Sequence, residues 1–241
     1  FLLLPFSFFG QIPFSDITLD AGIDNIYDVY QGLFGGGVVA FDYNNDGNED
    51  LFITGGQGQD VLYMNNGDGT FKDVTKESGL FKDKMIVTTG VSFADVNKDG
   101  FIDLFVTTIA SEVDKSKKKK TLASNLLYIN NGDGTFSDLS SKYGITKNNF
   151  STSSSFGDIN ADGYPDLFVG NYFKNFYFED SPFNTHNIAL LNHYSINEEY
   201  ETGDDQLFIN VEGKYFKDVS DLLMDSGKGY GFGGVFTDID N

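Results

Sequence analysis

The sequence predicts an all-β fold built from a repeated unit of four short antiparallel strands. Three observations predict it. Two short motifs recur in a fixed order along the 241 residues. Glycine and aromatic residues are plentiful (28 Gly, 25 Phe, 13 Tyr) against 4 Pro and no Trp, which suits strands and tight turns better than helices. Spacing inside each motif is constant while a single connection absorbs all length variation, the behaviour of a repeat with one variable loop.

The elements follow in order. Strand one of each unit ends in the first motif, as in residues 37–41 and 91–94. That motif reads FDYNNDGNEDLFIT from Phe41, ADVNKDGFIDLFVT from Ala94 and GDINADGYPDLFVG from Gly157, and a fourth copy, TDIDN, starts at Thr237. The apolar run that closes it, 51–54 or 104–107, is strand two. Strand three opens the second motif, LYMNNGDGTFKDVT from Leu62, LYINNGDGTFSDLS from Leu127 and LFINVEGKYFKDVS from Leu207. Asn-Gly and Asp-Gly steps near Gly67 and Gly132 supply the φ > 0 residues of a tight hairpin. Strand four is F-x-D-V-T, as in 71–75, and PFSDIT from Pro13 is the tail of an earlier copy.

The first acids of the motif stand at 42, 95, 158 and 238, so the interval grows from 53 to 63 to 80. Only the stretch from the last motif Asp to the Asn after LY or LF changes, over 15, 27 and 44 residues. Four-stranded units repeated in this way predict the blades of a β-propeller. A β-sandwich would give no reason for the repeat. The expected domain is a partial propeller of about three blades over residues 11–241, read as a piece of a longer protein. Residues 1–10, FLLLPFSFFG, are too short to span a bilayer and resemble the apolar region of a signal peptide, read as its remnant. A buried N-terminal strand is the other reading.

Acids outnumber bases 36 to 16 and every base is Lys, for a net charge of −20. A nucleic-acid partner is excluded on those terms, because nothing would offset phosphate repulsion. With 0 Cys, neither disulfides nor thiolate metal sites are available. No stretch is long and apolar enough to be read as membrane-spanning.

The spacing of the acids gives them a purpose. D-x-N-x-D-G-x-x-D places oxygen side chains alternately around one tight turn. The candidate ligands are Asp42, Asn44, Asp46 and Asp50 with the carbonyl of Asn48; Asp95, Asn97, Asp99 and Asp103 with the carbonyl of Phe101; and Asp158, Asn160, Asp162 and Asp166 with the carbonyl of Tyr164. Asp238 and Asp240 begin a fourth, truncated site. Calcium takes six to eight oxygens, and Gly47, Gly100 and Gly163 allow the sharp turn at position six. Converging carboxylates repel one another unless a cation lies between them. Zinc is disfavoured without His or Cys nearby, and magnesium prefers a stricter octahedron. The loops are not EF-hands, since position twelve holds Ile53, Val106 and Val169 instead of a bidentate Glu. A metal-free Asx-rich turn is the competing reading for a single copy; three matching copies favour the ion, acting as a staple.

At this point the paired motifs resemble FG-GAP/VCBS repeats, closest to the ASPIC/UnbV and cartilage-acidic-protein-like group, over roughly residues 13–241. The resemblance implies a calcium-bound β-propeller like the integrin α head, secreted or on the cell surface, serving adhesion or ligand binding. The third hairpin departs from the pattern, with NVEGKYF for NNGDGTF, which leaves its turn type open.

In a four-stranded blade the one–two and three–four connections share one face, so the variable two–three insertions lie on the other. The insertion 171–205 carries Tyr172, Phe173, Phe176, Tyr177, Phe178, Phe183, Tyr194 and Tyr200, rings able to meet a glycan or protein partner or to pack on neighbouring loops. Lys115 and Lys117–Lys120 in the second insertion read as a solvated flexible loop rather than an attachment site for an acidic surface. His186 and His193 form a weak transition-metal pair. No nucleophile–base set or phosphate loop is present, so the chain is read as non-enzymatic, with a module of a larger secreted, polysaccharide-active enzyme as the alternative. The recurring Asp16, Asp73, Asp138 and Asp218 of F-x-D read as strand-end hydrogen bonders.

Overall fold

In the computed structural model, which describes residues 14–28, 35–81, 86–114, 119–173, 202–223, 233–234 and 236, each repeat forms one antiparallel meander. The first sheet is β1 (Val38–Phe41), β2 (Asp50–Ile53), β3 (Val61–Asn65) and β4 (Phe71–Asp73), hydrogen-bonded in that order. In the second, β5 (Ile86–Ala94) and β6 (Asp103–Asp114) form a long inner hairpin, and β9 (Leu126–Asn130) and β10 (Phe136–Asp138) complete the sheet. The third runs β11 (Asn148–Gly157), β12 (Asp166–Phe173), β13 (Gln206–Val211) and β14 (Tyr215–Asp218), with β8 (Ala123–Ser124) added beside β11. Apart from a 3-10 turn at Ser220–Leu222, the described residues contain no helix, and none long and apolar enough to cross a membrane.

The three sheets are the blades of a partial β-propeller, because their first strands lie side by side. A Cβ on Gly37 would come within 2.8 Å of the Val91 backbone, and one on Gly90 within 2.8 Å of the Thr152 carbonyl. The hydroxyl groups of Ser92 and Ser154 meet at 2.7 Å.

The apolar runs of strand two are explained by burial on both faces. Successive side chains of a strand point to opposite sides, so β6 sends Leu104 and Val106 into one core and Phe105 into another. The first core adds Phe41, Phe52 and Leu62 of the first blade to Leu126, Tyr128 and Phe136 of the second. The second core joins Phe105, Leu127 and Ile129 to Leu167, Val169, Phe208 and Phe216 of the third.

Two differences from the sequence reading have physical causes, and the turn it left open is now defined. Strand two starts at the last Asp of the motif, since Asp50, Asp103 and Asp166 already pair with Phe41, Ala94 and Gly157. The lysine-bearing insertion is not simply a loop: β6 continues to Asp114 and β7 (Lys119–Thr121) returns along it, so Lys119 and Lys120 stand in a strand. Lys115 and Lys117 lie outside the described residues. The third hairpin replaces the longer turn with consecutive left-handed residues, Glu212 (φ 53°) and Gly213 (φ 70°), closed by Lys214 N–H on the Val211 carbonyl at 3.0 Å, the φ signature of a type I′ turn.

The part of that N-terminal tail from Phe14 onward is folded as expected of an earlier copy. Thr18 N–H donates to Asp16 Oδ1 at 3.0 Å, as Thr75 does to Asp73 at 2.9 Å and Ser140 to Asp138 at 3.0 Å. The carbonyl of Ala21 then accepts Phe71 N–H at 2.8 Å, and Ser78 and Tyr143 accept Phe136 and Phe216 in the same way. Each unit's final turn thus holds the outer strand of the next blade. The apolar segment 1–10 lies outside the described residues, as do most of the aromatic insertion with His186 and His193, and Asp238 and Asp240. Of the aromatic side chains in that insertion, Tyr172 is described, packed against Phe150 with ring centroids 6.0 Å apart.

Candidate metal centres

The three Asp-rich loops share the same pattern of main-chain hydrogen bonds. Position one anchors the turn: Asp42 accepts Asp46 N–H at 3.0 Å and Gly47 N–H at 2.7 Å, Asp95 accepts Asp99 and Gly100, and Asp158 accepts Asp162 and Gly163. Position three adds an Asx turn, Asn44 Oδ1 accepting Asp46 N–H at 3.1 Å, with Asn97 and Asn160 alike. Position five accepts the N–H of position seven, Asn48 at 2.8 Å, Phe101 at 2.9 Å and Tyr164 at 2.8 Å. The glycine of position six is left-handed each time, φ 87°, 88° and 85°. A second left-handed residue, invisible in the motif, stands at position four: Asn45, Lys98 and Ala161, φ 58–59°.

Position nine is the buried anchor. Asp50, Asp103 and Asp166 are at most 1% exposed. One oxygen of each accepts the N–H of position two, from Tyr43, Val96 and Ile159 at 2.9–3.0 Å. The other accepts the N–H of the Asn near the end of strand three, Asn65, Asn130 and Asn210, at 2.7–2.9 Å. Burial pushes the Asp103 carboxyl up to about 7, with the charges of Asp99 and Asp95 adding to the rise and the two N–H donors opposing it. Asp50 and Asp166 are raised by the same causes. Asp46 moves the other way, held low by the Asn44 amide and the Asn48 N–H.

The hairpin turns share the face of the loops, as blade geometry predicts. The side chain at position seven lies over the first hairpin glycine: a Cβ on Gly67 would meet Asn48 Oδ1 at 3.3 Å, one on Gly132 the Phe101 ring at 2.7 Å, and one on Gly213 the Tyr164 ring at 3.2 Å. This packing sets the backbone that carries the carbonyl of position seven. Neighbouring loops also touch. Asn45 Nδ2 donates to the Gly100 carbonyl at 3.1 Å, and Lys98 Nζ lies 4.2 Å from the centre of the Tyr164 ring.

The donor set is all oxygen: three carboxylates, one amide and one main-chain carbonyl per loop. That chemistry fits a hard cation and no thiophilic one. As the side chains stand, the loop oxygens serve the backbone of the turn, and Asn44 Nδ2 faces Asp46 Oδ2 at 2.9 Å. Among the described residues no three acidic or imidazole side chains converge tightly enough to clasp an ion by themselves. A carboxylate oxygen that accepts one N–H keeps a second lone pair, so the bonds that hold the turn leave its oxygens with acceptor capacity.

Two residue classes escaped the sequence reading. The hydroxyl in F-x-D-x-[ST] accepts the N–H of the second residue of strand three, Leu62 on Thr75 at 3.0 Å, Leu127 on Ser140 at 2.9 Å and Leu207 on Ser220 at 3.1 Å. The Asn after LY or LF was visible only as a spacing marker. Its recurrence at 65, 130 and 210 was the available signal, and its work is the N–H on position nine.

Comparison with known sequences agrees with this geometry. The family described as FG-GAP-like repeat matches residues 42–106 and 119–169, which contain all three complete loops. Cartilage acidic protein 1 of Xenopus tropicalis is 33% identical over 95 residues, 39% of this chain and 14% of that protein. Cartilage acidic protein 1 of Homo sapiens is 32% identical over 95 residues, 39% of this chain and 13% of that protein. The matched stretch therefore spans about a seventh of these relatives' length. Three blades and three matching loops agree with this comparison: residues 42–106 and 119–169 carry FG-GAP-like repeats.

Proposed function

We propose that this protein is a non-catalytic, extracellular β-propeller module whose three Asp-rich loops each hold one calcium ion, and which serves adhesion or the binding of a protein or glycan. The carrying observation is the position-nine carboxylate. Asp103 is buried, Asp95 and Asp99 raise the cost of its charge, and two N–H donors oppose that cost. A divalent ion in the loop would neutralise the cluster, and the same arrangement occurs three times. Asp42, Asn44, Asp46, Asp50 and the Asn48 carbonyl would hold the first ion, with the corresponding sets at 95–103 and 158–166. The bound ion would supply charge neutralisation and a rigid loop, not chemistry. Both the relatives' name, an acidic protein of cartilage, and the excess of 36 acids over 16 bases support an extracellular setting, where calcium reaches the affinities typical of such modules, Kd on the order of 10⁻⁴–10⁻³ M.

Calorimetric titration of the metal-stripped protein tests the reading. Three calcium ions per chain are expected from the complete loops, with weaker binding of magnesium. A protein that takes up no calcium at millimolar concentration would overturn it.

A further inference from the structure

The bonds of the loops and of the strand-three asparagines join into one continuous line across the blades. In the first loop, Tyr43 N–H donates to Asp50. The carbonyl of the same Tyr43 accepts Asn130 Nδ2 from the second blade at 2.8 Å. Asn130 N–H donates to Asp103 Oδ1 at 2.9 Å, and Asp103 Oδ2 accepts Val96 N–H at 2.9 Å. The Val96 carbonyl accepts Asn210 Nδ2 from the third blade at 2.8 Å, and Asn210 N–H donates to Asp166 at 2.8 Å. Asn130 is 1% exposed and Asn210 0%. Asn130 and Asn210 also donate Nδ2 to the position-eight carbonyl of their own loops, Ile102 at 3.3 Å and Pro165 at 3.2 Å, as Asn65 does to Glu49 at 2.9 Å.

Each of these asparagines touches two loops at consequential points. Tyr43 and Val96 occupy position two, between the proposed ligands at positions one and three. The peptide group is planar, so a hydrogen bond on the Tyr43 carbonyl fixes the plane from which Asn44 departs. The main-chain N–H of the same Asn130 fixes the position-nine carboxylate of the following loop. Side-chain rotation cannot separate the two tasks, because Asn130 Oδ1 is itself held by Gly132 N–H at 3.0 Å. Asn210 Oδ1 is held by Gly213 N–H at 2.9 Å.

We propose that Asn130 and Asn210 are positioning residues that couple adjacent loops, so that an ion in one loop raises the calcium affinity of the next. The proposal rests on the calcium reading above and deepens it. Ordering positions one to three of the first loop fixes Tyr43, which fixes Asn130, which presents Asp103 to the second loop. Coupling of this kind is reciprocal, so the effect runs in both directions along the blades.

The test is a cycle of calcium titrations on the whole chain. The first loop is disabled by Asp42→Asn with Asp46→Asn, in the wild-type background and with Asn130→Ala. In the wild-type background this change should weaken calcium binding at the remaining two loops by about fivefold or more, the lower end of usual coupling strengths. With Asn130→Ala already present it should leave them unchanged. An asparagine that merely supports the fold would give the same penalty in both backgrounds, and that result overturns the proposal. If Asn130→Ala does not fold, Asn210→Ala with a disabled third loop (Asp158→Asn, Asp162→Asn) asks the same question. Three ions bound independently, with no penalty from the lost loop, would overturn the coupling and leave the calcium reading standing. No bound calcium at all would overturn the calcium reading itself.

Discussion

The hydroxyl of Thr89, on the first strand of the second blade, donates to the main-chain carbonyl of Ser151 on the first strand of the third at 2.9 Å. The same oxygen lies 2.9 Å from the Thr107 hydroxyl, and the Thr89 carbonyl accepts the Thr54 hydroxyl of the first blade at 2.7 Å. One threonine thus ties three blades, inside a seam where Thr54, Thr89, Thr107 and Ser151 are all buried. Thr89→Val keeps the shape and removes the hydroxyl, leaving buried polar partners unsatisfied. It should cost about 1–3 kcal/mol in chemical denaturation. Stability equal to wild type would show that the seam contributes nothing.

If the loops are calcium staples, excess EGTA should lower the melting midpoint and calcium should restore it better than magnesium. At ten times Kd each site adds about 1.4 kcal/mol. Asp103→Asn should remove one ion from the stoichiometry and, by placing an NH2 group against an N–H donor, cost roughly 1–3 kcal/mol even without calcium. A variant that still binds three ions would remove Asp103 from the site.

The two glycines of one hairpin should respond differently. Gly132 and Gly134 are both left-handed, φ 74° and 86°. A Cβ on Gly132 would sit 2.7 Å from the Phe101 ring, while one on Gly134 meets nothing within 4 Å. Gly134→Ala should therefore cost only the backbone penalty, about 1–2 kcal/mol. Gly132→Ala should cost more and also weaken calcium at the second loop, because Phe101 carries a proposed ligand carbonyl. Equal losses in urea melts would contradict the packing argument.

Position four of the third loop offers a gain. Ala161 is left-handed at φ 58°, a conformation that costs an L-residue about 1–2 kcal/mol and glycine little. Ala161→Gly should raise stability by up to about 1 kcal/mol once glycine's greater unfolded-state entropy is subtracted. A loss would mean that the alanine methyl has a packing role.

The strands, the order of the blades and the shared face of loops and hairpins were legible because each rests on a local signal: alternation, Asn-Gly steps, constant spacing. What the sequence hid was contact between repeats. Nothing in LYINNG says that Asn130 reaches back to Tyr43, 87 residues earlier, since one chemical pattern serves both the turn inside a blade and the bond between blades. The left-handed Asn45, Lys98 and Ala161 were equally unreadable, because three unlike residues share a conformation imposed by the turn around them. The lysine insertion was misjudged because strand pairing such as Glu112 with Lys120 depends on β6 having a free end to extend, which composition does not report.

The alternation of β6, with Leu104 facing one neighbour and Phe105 the other, has an evolutionary consequence. A blade owns no core of its own; it owns two half-interfaces, one of each kind. Any copy inserted between two others finds a matching half on either side, so gene duplication can lengthen the array without inventing a new surface. The same arrangement makes stability a nearest-neighbour quantity: damage to one blade withdraws support from both of its neighbours, and amide exchange should report the injury in sheets that carry no substitution.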